Sequence, residues 1–167
     1  MQTGMKRVCC SAAFAGVLTA VLAGAVQAQG TDPVIGTWTL NVAKSTYSPG
    51  PAPRSTTLRY EAAGQGIRIS VNSVNADGTA AKWGFTANYD GKDVSITGNN
   101  PNADSAALKR LDATTSETTY KKGGTVTTTN TRVVSANRRT MTITTKGTDS
   151  QGQTVNNVAV YEKRTGS

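Results

Sequence analysis

The stretch Ile35-Gly36-Thr37-Trp38-Thr39-Leu40-Asn41-Val42 decides the fold. It predicts a strand over about 35–42, the first strand of the chain. In small barrels, a tryptophan near the start of the first strand plugs one end, and a glycine just before it lets neighbouring backbone pass close. We therefore predict a closed antiparallel barrel in which Gly36 and Trp38 form a structural plug.

The rest of the chain alternates between apolar and polar residues in short runs. Ile67, Ile69 and Val71, for example, are separated by single polar residues. Turn sequences separate the runs, among them Gly64-Gln65-Gly66, Asn75-Ala76-Asp77-Gly78, Asp90-Gly91 and Gly123-Gly124. Later strands are predicted around Val94 and Ile96 and at about 106–112, 115–122, 125–134, 139–148 and 153–163. Since no helical period follows residue 30, the chain predicts an all-β, up-and-down antiparallel barrel of about ten strands.

The connection over residues 43–54 contains three prolines and one glycine. Proline lacks the backbone donor that a helix interior needs, so no helix is expected after Tyr47.

The first 28 residues have the pattern of a cleavable signal peptide. Lys6 and Arg7 precede an apolar run over 8–26, and Val26-Gln27-Ala28 supplies small residues at the cleavage positions. A membrane anchor is the alternative, but the run is short for a span and polar sequence follows it directly. We expect one domain over 29–167, periplasmic or secreted, with no stable membrane insertion after cleavage.

The residue types that the chain lacks restrict its chemistry. It has no histidine, and its two cysteines, Cys9 and Cys10, lie in the predicted leader. Ser-His-Asp and Cys-His catalysis and imidazole or thiolate metal sites are therefore excluded. Asp90 and Asp93 are close in sequence but flank a predicted turn, where aspartate serves turn geometry. We expect no enzyme activity, no catalytic residues, no metal site and no cofactor.

The charge of the chain is basic but dispersed. Removing Lys6 and Arg7 from the net charge of +8 leaves +6. Nucleic-acid-binding proteins concentrate their positive charge and interleave aromatic residues for stacking, which this chain does not do. We expect no nucleic-acid partner and a monomer, with weak affinity for anionic polymers as the alternative use of the charge.

Both ends of the predicted domain resemble the calycin superfamily, the lipocalins and fatty-acid-binding proteins. Gly36-Thr37-Trp38 matches their G-x-W opening, and Val158-Ala159-Val160-Tyr161-Glu162-Lys163 is similar to the last strand of fatty-acid-binding proteins. There an Arg-x-Tyr pair holds the ligand carboxylate. The resemblance implies that Tyr161 keeps the tyrosine position, whereas Ala159 stands where the arginine would be. The chain also resembles small exported bacterial proteins that are labelled lipocalin-like.

The function that these observations predict is an exported binding protein with a small apolar or amphipathic ligand inside the barrel. The candidate ligand-binding residues are Tyr60, Trp83, Phe85, Arg132 and Tyr161. Arg132 shares a strand face with Val126, Thr128, Asn130 and Val134, which allows an inward direction, but an exposed arginine is the expected outcome. With Ala159 in the arginine position, neutral ligands should bind at least as well as carboxylates. The alternative is a structural or envelope protein whose barrel is filled by its own side chains.

Overall fold

The structure is a computed structural model that describes residues 31–165. The predicted signal peptide over 1–28, with both cysteines, lies outside the described residues. Eleven strands lie within residues 31–165: β1 Gly36–Leu40, β2 Ser55–Ala63, β3 Gly66–Val74, β4 Ala80–Ala87, β5 Asp90–Ser95, β6 Thr97–Gly98, β7 Ser105–Arg110, β8 Thr115–Lys122, β9 Thr125–Val134, β10 Thr140–Thr148 and β11 Thr154–Lys163.

The strands form one antiparallel sheet in the order β5-β7-β8-β9-β10-β11-β1-β2-β3-β4-β6. The first and last strands are neighbours, with Leu40 opposite Tyr161. The two ends of the sheet, β5 and β6, are separated in the chain only by Ile96, so the sheet is a nearly closed barrel. The all-β, up-and-down antiparallel barrel predicted from the sequence is confirmed. Eleven strands stand where about ten were expected because the strand predicted around Val94 and Ile96 changes partner at Ile96.

Gly98 allows this change of partner. The β6 strand pairs with β4 through Thr97 and Gly98, the latter opposite Trp83. A Cβ atom at Gly98 would lie 2.3 Å from the Lys82 carbonyl oxygen, and its φ is +92°. A side chain here would therefore push the two strands apart and open the barrel.

The first strand is shorter than predicted, because the chain turns at Asn41 into a short 3-10 helix, Val42–Lys44. The Asn41 side chain caps this helix by accepting a hydrogen bond from the Lys44 backbone N–H at 3.1 Å. Residues 45–54 contain no helix, as the prolines predict. No helix within residues 31–165 has the length and apolar character needed to cross a membrane.

Apolar side chains fill one end of the barrel. We call this the closed end; β1 begins there and β11 ends there. The opposite end is the open end. The largest fully buried apolar side chains are Val34, Trp38, Ile67, Leu108 and Met141. They lie toward the closed end, and none of them lines the cavity described next. The core is therefore concentrated at the closed end, and the space is left in the other half.

Candidate ligand-binding site

A cavity of about 660 Å³ occupies the open half of the barrel. Three segments surround its mouth: the proline-rich segment 47–53, the β3–β4 turn at 75–77 and the loop 100–103. The proline-rich segment is tied to the barrel wall, since the Ser48 N–H donates to Asn157 Oδ1 at 2.8 Å and the Asn156 N–H donates to the Ser48 carbonyl at 2.7 Å. The volume lies in the range of small-molecule sites, about 300–1,000 Å³.

One wall of the cavity is apolar. It is formed by β2, β3 and β4, whose strand registers place Leu58, Val71 and Trp83 side by side in one row. Trp83 also packs edge-on against Tyr120, with ring centroids 5.9 Å apart. Ile69 and Ala81 extend the same surface. This wall can bury the apolar body of a ligand.

The opposite wall is polar. The registers of β8, β9, β10 and β11 align Thr118, Asn130, Thr145 and Asn157 across four strands, and all four line the cavity. Asn130 Oδ1 is buried and has no hydrogen-bond partner among the described residues. A buried acceptor without a partner is costly, so this wall is suited to a ligand that brings a donor.

Arg132 is the buried cation of the cavity. Its side chain is 5 % exposed, its guanidinium carbon lies 4.9 Å from the centre of the Tyr60 ring, and its Nη2 donates to the Tyr89 hydroxyl at 3.3 Å. Burial lowers the pKa of Arg132, but the phenol groups of Tyr60 and Tyr89 outweigh burial and the net direction is upward. None of the ion pairs among residues 31–165 includes Arg132. Its charge is therefore available to an anionic group.

A hydrogen-bond network orients the Arg132 side chain. The Tyr89 hydroxyl, which accepts from Arg132, donates to Asp32 Oδ2 at 2.6 Å. Asp32 in turn accepts from Arg110, whose guanidinium stacks 3.6 Å from the centre of the Tyr89 ring. This network links the cavity residue Arg132 to the segment before β1.

Four of the five predicted ligand-binding residues line the cavity: Tyr60, Trp83, Arg132 and Tyr161. Phe85 does not. It lies in the row of Ile69 and Tyr60, nearer the closed end, where it packs edge-on against Tyr120 at 6.2 Å. Phe85 therefore belongs to the packed interior on the closed-end side of the cavity. Burial raises the pKa of Tyr161 well above its usual value, so its hydroxyl is neutral and can donate.

Sequence reasoning missed most of the polar wall and misplaced one residue. Val126, predicted to share the face of Arg132, is 55 % exposed. The register of β8 and β9 shifts between Tyr120 and Lys121, a β-bulge that leaves Thr127 without a partner and reverses the alternation beyond it. The row that includes Thr118 and Thr145 carried no signal, because threonine occupies both faces of these strands.

Gly36 and Trp38 lie at the closed end. Trp38 is fully buried, and its indole N–H donates to the Val34 carbonyl at 2.7 Å. A Cβ atom at Gly36, where φ is +131°, would lie 2.7 Å from Lys163 Cε. The glycine thus makes room for a side chain rather than for the backbone expected from the sequence. The Lys163 ammonium stands 5.1 Å from the centre of the Trp38 ring.

The described chain is thus an up-and-down β-barrel with a cavity that is apolar on one side, polar on the other and cationic at its inner end. Within residues 31–165, no group of three or more His, Cys, Asp or Glu side chains is placed to hold a metal ion. No family model and no curated protein matches the chain. Among solved structures, it is similar to zebrafish ileal bile acid-binding protein complexed with cholic acid, with a TM-score of 0.47, 11% identity and coverage of 79% of this chain and 99% of that one.

Proposed function

We propose that this is an exported, lipocalin-like binding protein that holds one amphipathic molecule in the barrel cavity. The apolar body of the ligand lies against Leu58, Val71 and Trp83, and its anionic group lies on Arg132. The observation that carries the proposal is the buried guanidinium of Arg132, without an ion-pair partner among the described residues, facing a cavity of about 660 Å³. The Tyr60 ring and the Tyr89 hydroxyl compensate this charge with neutral groups only, and a ligand anion would pair with it directly.

The cavity also bears on the choice between the two functions predicted from the sequence, a small-molecule binding protein and a structural protein with a filled barrel. A barrel filled by its own side chains would leave no space of this size. The cavity therefore favours a binding protein over a filled structural barrel.

Arg132 changes the expected ligand preference. The sequence analysis predicts that neutral ligands bind at least as well as carboxylates. That prediction rests on Ala159, which stands where fatty-acid-binding proteins have an arginine. Ala159 is opposite Ile143, and Ile143 is opposite Arg132, so a cation lies two strands away in the same row. We now expect acids to bind more tightly than neutral molecules of the same size.

Tryptophan fluorescence titration with decanoic acid and decanol tests the proposal, because Trp83 lines the cavity. The acid should bind about tenfold more tightly than the alcohol. Arg132→Met should remove that preference and leave alcohol affinity within about twofold. The matched control is Lys146→Met, which removes an exposed cation from the outside of β10. Failure of both ligands to bind, or an acid preference that survives Arg132→Met, would overturn the proposal.

Export is supported by the leader pattern over residues 1–28. The intact mass of protein recovered outside the cytoplasm should correspond to a chain that begins at or near Gln29. A retained leader, or lipid on Cys9 or Cys10, would contradict soluble export.

A further inference from the structure

A second pocket, of about 580 Å³, lies on the outside of the closed end. Its walls are the β9–β10 turn with the start of β10, residues 137–140, and the end of β11 with the residues after it, 162–165. Backbone hydrogen bonds fix the second wall, since the Lys163 N–H donates to the Arg139 carbonyl at 2.9 Å and the Arg164 N–H donates to the Thr37 carbonyl at 2.8 Å. The pocket therefore belongs to the barrel framework.

The charge of this pocket is strongly unbalanced. Four cations line it, Arg138, Arg139, Lys163 and Arg164, against one carboxylate, Glu162. None of the four takes part in an ion pair within the described chain. Glu162 is already engaged, because its Oε1 accepts from Lys44 Nζ and Asn41 Nδ2, both at 2.9 Å. The pocket thus carries positive charge that the surrounding side chains leave largely uncompensated.

Lys163 is held in place within this positive cluster. Its ammonium lies 5.1 Å from the centre of the Trp38 ring, and its aliphatic chain passes over Gly36. Partial burial lowers its pKa, and the nearby charge of Arg138 lowers it further. Lys163 is therefore kept near another cation by packing, at an electrostatic cost.

Arg138 occupies a backbone conformation that glycine would adopt more readily. Its φ is +57°, the only positive φ of a non-glycine residue within residues 31–165. Such a conformation is uncommon for a residue with a side chain. The turn therefore presents a guanidinium at a position where the backbone alone would favour glycine.

We propose that this pocket binds an oxyanion with two or more negative charges, of the phosphate monoester or pyrophosphate class, between Arg138 and Lys163. The fork of N–H donors on arginine matches phosphate oxygens in a bidentate manner, and lysine adds a compact charge. A multiply charged anion would relieve the repulsion between the cations. This site is on the outer surface of the closed end and is independent of the cavity.

Isothermal titration calorimetry with pyrophosphate tests the site at low ionic strength. Binding should be measurable, and Arg138→Gly should weaken it about tenfold or more. This substitution removes the guanidinium and suits the positive φ, so loss of binding would not reflect a broken turn. Lys146→Ser is the matched control, because it removes one charge six residues beyond Thr140 along β10, about 20 Å away. No measurable binding, unchanged binding in Arg138→Gly, or equal weakening in Lys146→Ser would each overturn the proposal.

A second arm identifies the source of the oxyanion. The protein is mixed with phosphatidylcholine vesicles with and without phosphatidic acid, whose headgroup is a phosphate monoester. Arg138-dependent binding to the phosphatidic acid vesicles would assign the site to a lipid headgroup. Arg138-dependent binding of pyrophosphate without vesicle binding would assign it to a soluble phosphate compound. Vesicle binding that survives Arg138→Gly would contradict a role of this pocket at a membrane.

Discussion

The Tyr89 hydroxyl donates a hydrogen bond to Asp32 at 2.6 Å while the same oxygen accepts one from Arg132 at 3.3 Å. A single phenol thus joins the buried cation of the cavity to the carboxylate before β1. Burial raises the pKa of Tyr89 to about 12, so the hydroxyl keeps its proton throughout the physiological range.

Removal of that hydroxyl should destabilise the barrel. Tyr89→Phe leaves Asp32 and Arg132 each short of one hydrogen bond, which should lower the free energy of unfolding by about 1–3 kcal/mol. Tyr47→Phe is the control, since the Tyr47 hydroxyl makes none of the side-chain hydrogen bonds found within residues 31–165. Urea denaturation measures both variants. Equal losses of unfolding free energy in the two variants would show that the hydrogen bonds of Tyr89 do not contribute to stability.

Acid should weaken the same network. Partial burial raises the pKa of Asp32, but hydrogen bonds from Tyr89 and Arg110 outweigh it, and the net direction is downward. A lowered pKa in the folded state stabilises above the unfolded value, about 3.9, and this stabilisation is lost as the pH falls through the folded value. The gap in unfolding free energy between the wild type and Asp32→Asn should be constant above about pH 5 and shrink below about pH 4. A gap that widens in acid would refute this assignment.

The free protein should tolerate the loss of its buried cation. Arg132 has no ion-pair partner within the described chain, and only neutral groups, the Tyr60 ring and the Tyr89 hydroxyl, compensate its charge. Arg132→Met loses one long hydrogen bond and gains an apolar side chain of similar length, so the thermal midpoint without ligand should change little. A fall of several degrees would indicate that Arg132 serves the fold rather than a ligand.

Trp38 should be among the most costly positions to truncate. It is fully buried, and its indole N–H donates to the Val34 carbonyl at 2.7 Å. Trp38→Ala should lower the free energy of unfolding by about 3–5 kcal/mol. Trp38→Phe keeps much of the volume and loses the donor, so it should cost clearly less. A denaturation midpoint that Trp38→Ala leaves unmoved would disprove the plug.

The fold could be predicted from the sequence where turn chemistry was explicit. The predicted bounds of β8 and β9, 115–122 and 125–134, agree with the structure because Gly123-Gly124 marks the turn between them. The change of partner at Ile96 could not be predicted, since Val94 and Ile96 continue one alternation and pairing depends on distant strands.

The candidate site was predictable only in part. The aromatic residues of β2 and β4 stand out by size and alternate with polar neighbours, so Tyr60 and Trp83 could be assigned inward. The direction of Arg132 rested on alternation alone, and the bulge at Thr127 reverses that alternation nearer the open end of β9. Residues such as Thr145 were hidden, because a strand with threonine on both faces has no apolar side to mark the interior.

The short pairing between β4 and β6 makes this seam the weakest line along the barrel, since only two residue pairs join the strands there. If the seam opens, the backbone edge of β4 is exposed beside Trp83 and Phe85, a combination that invites edge-to-edge association with another molecule. The other edge strand at this seam, β5, carries Asp90, Lys92 and Asp93, whose charges oppose such association. Neutralising these three charges should therefore increase self-association under mildly denaturing conditions, with little effect on the free energy of unfolding of the barrel.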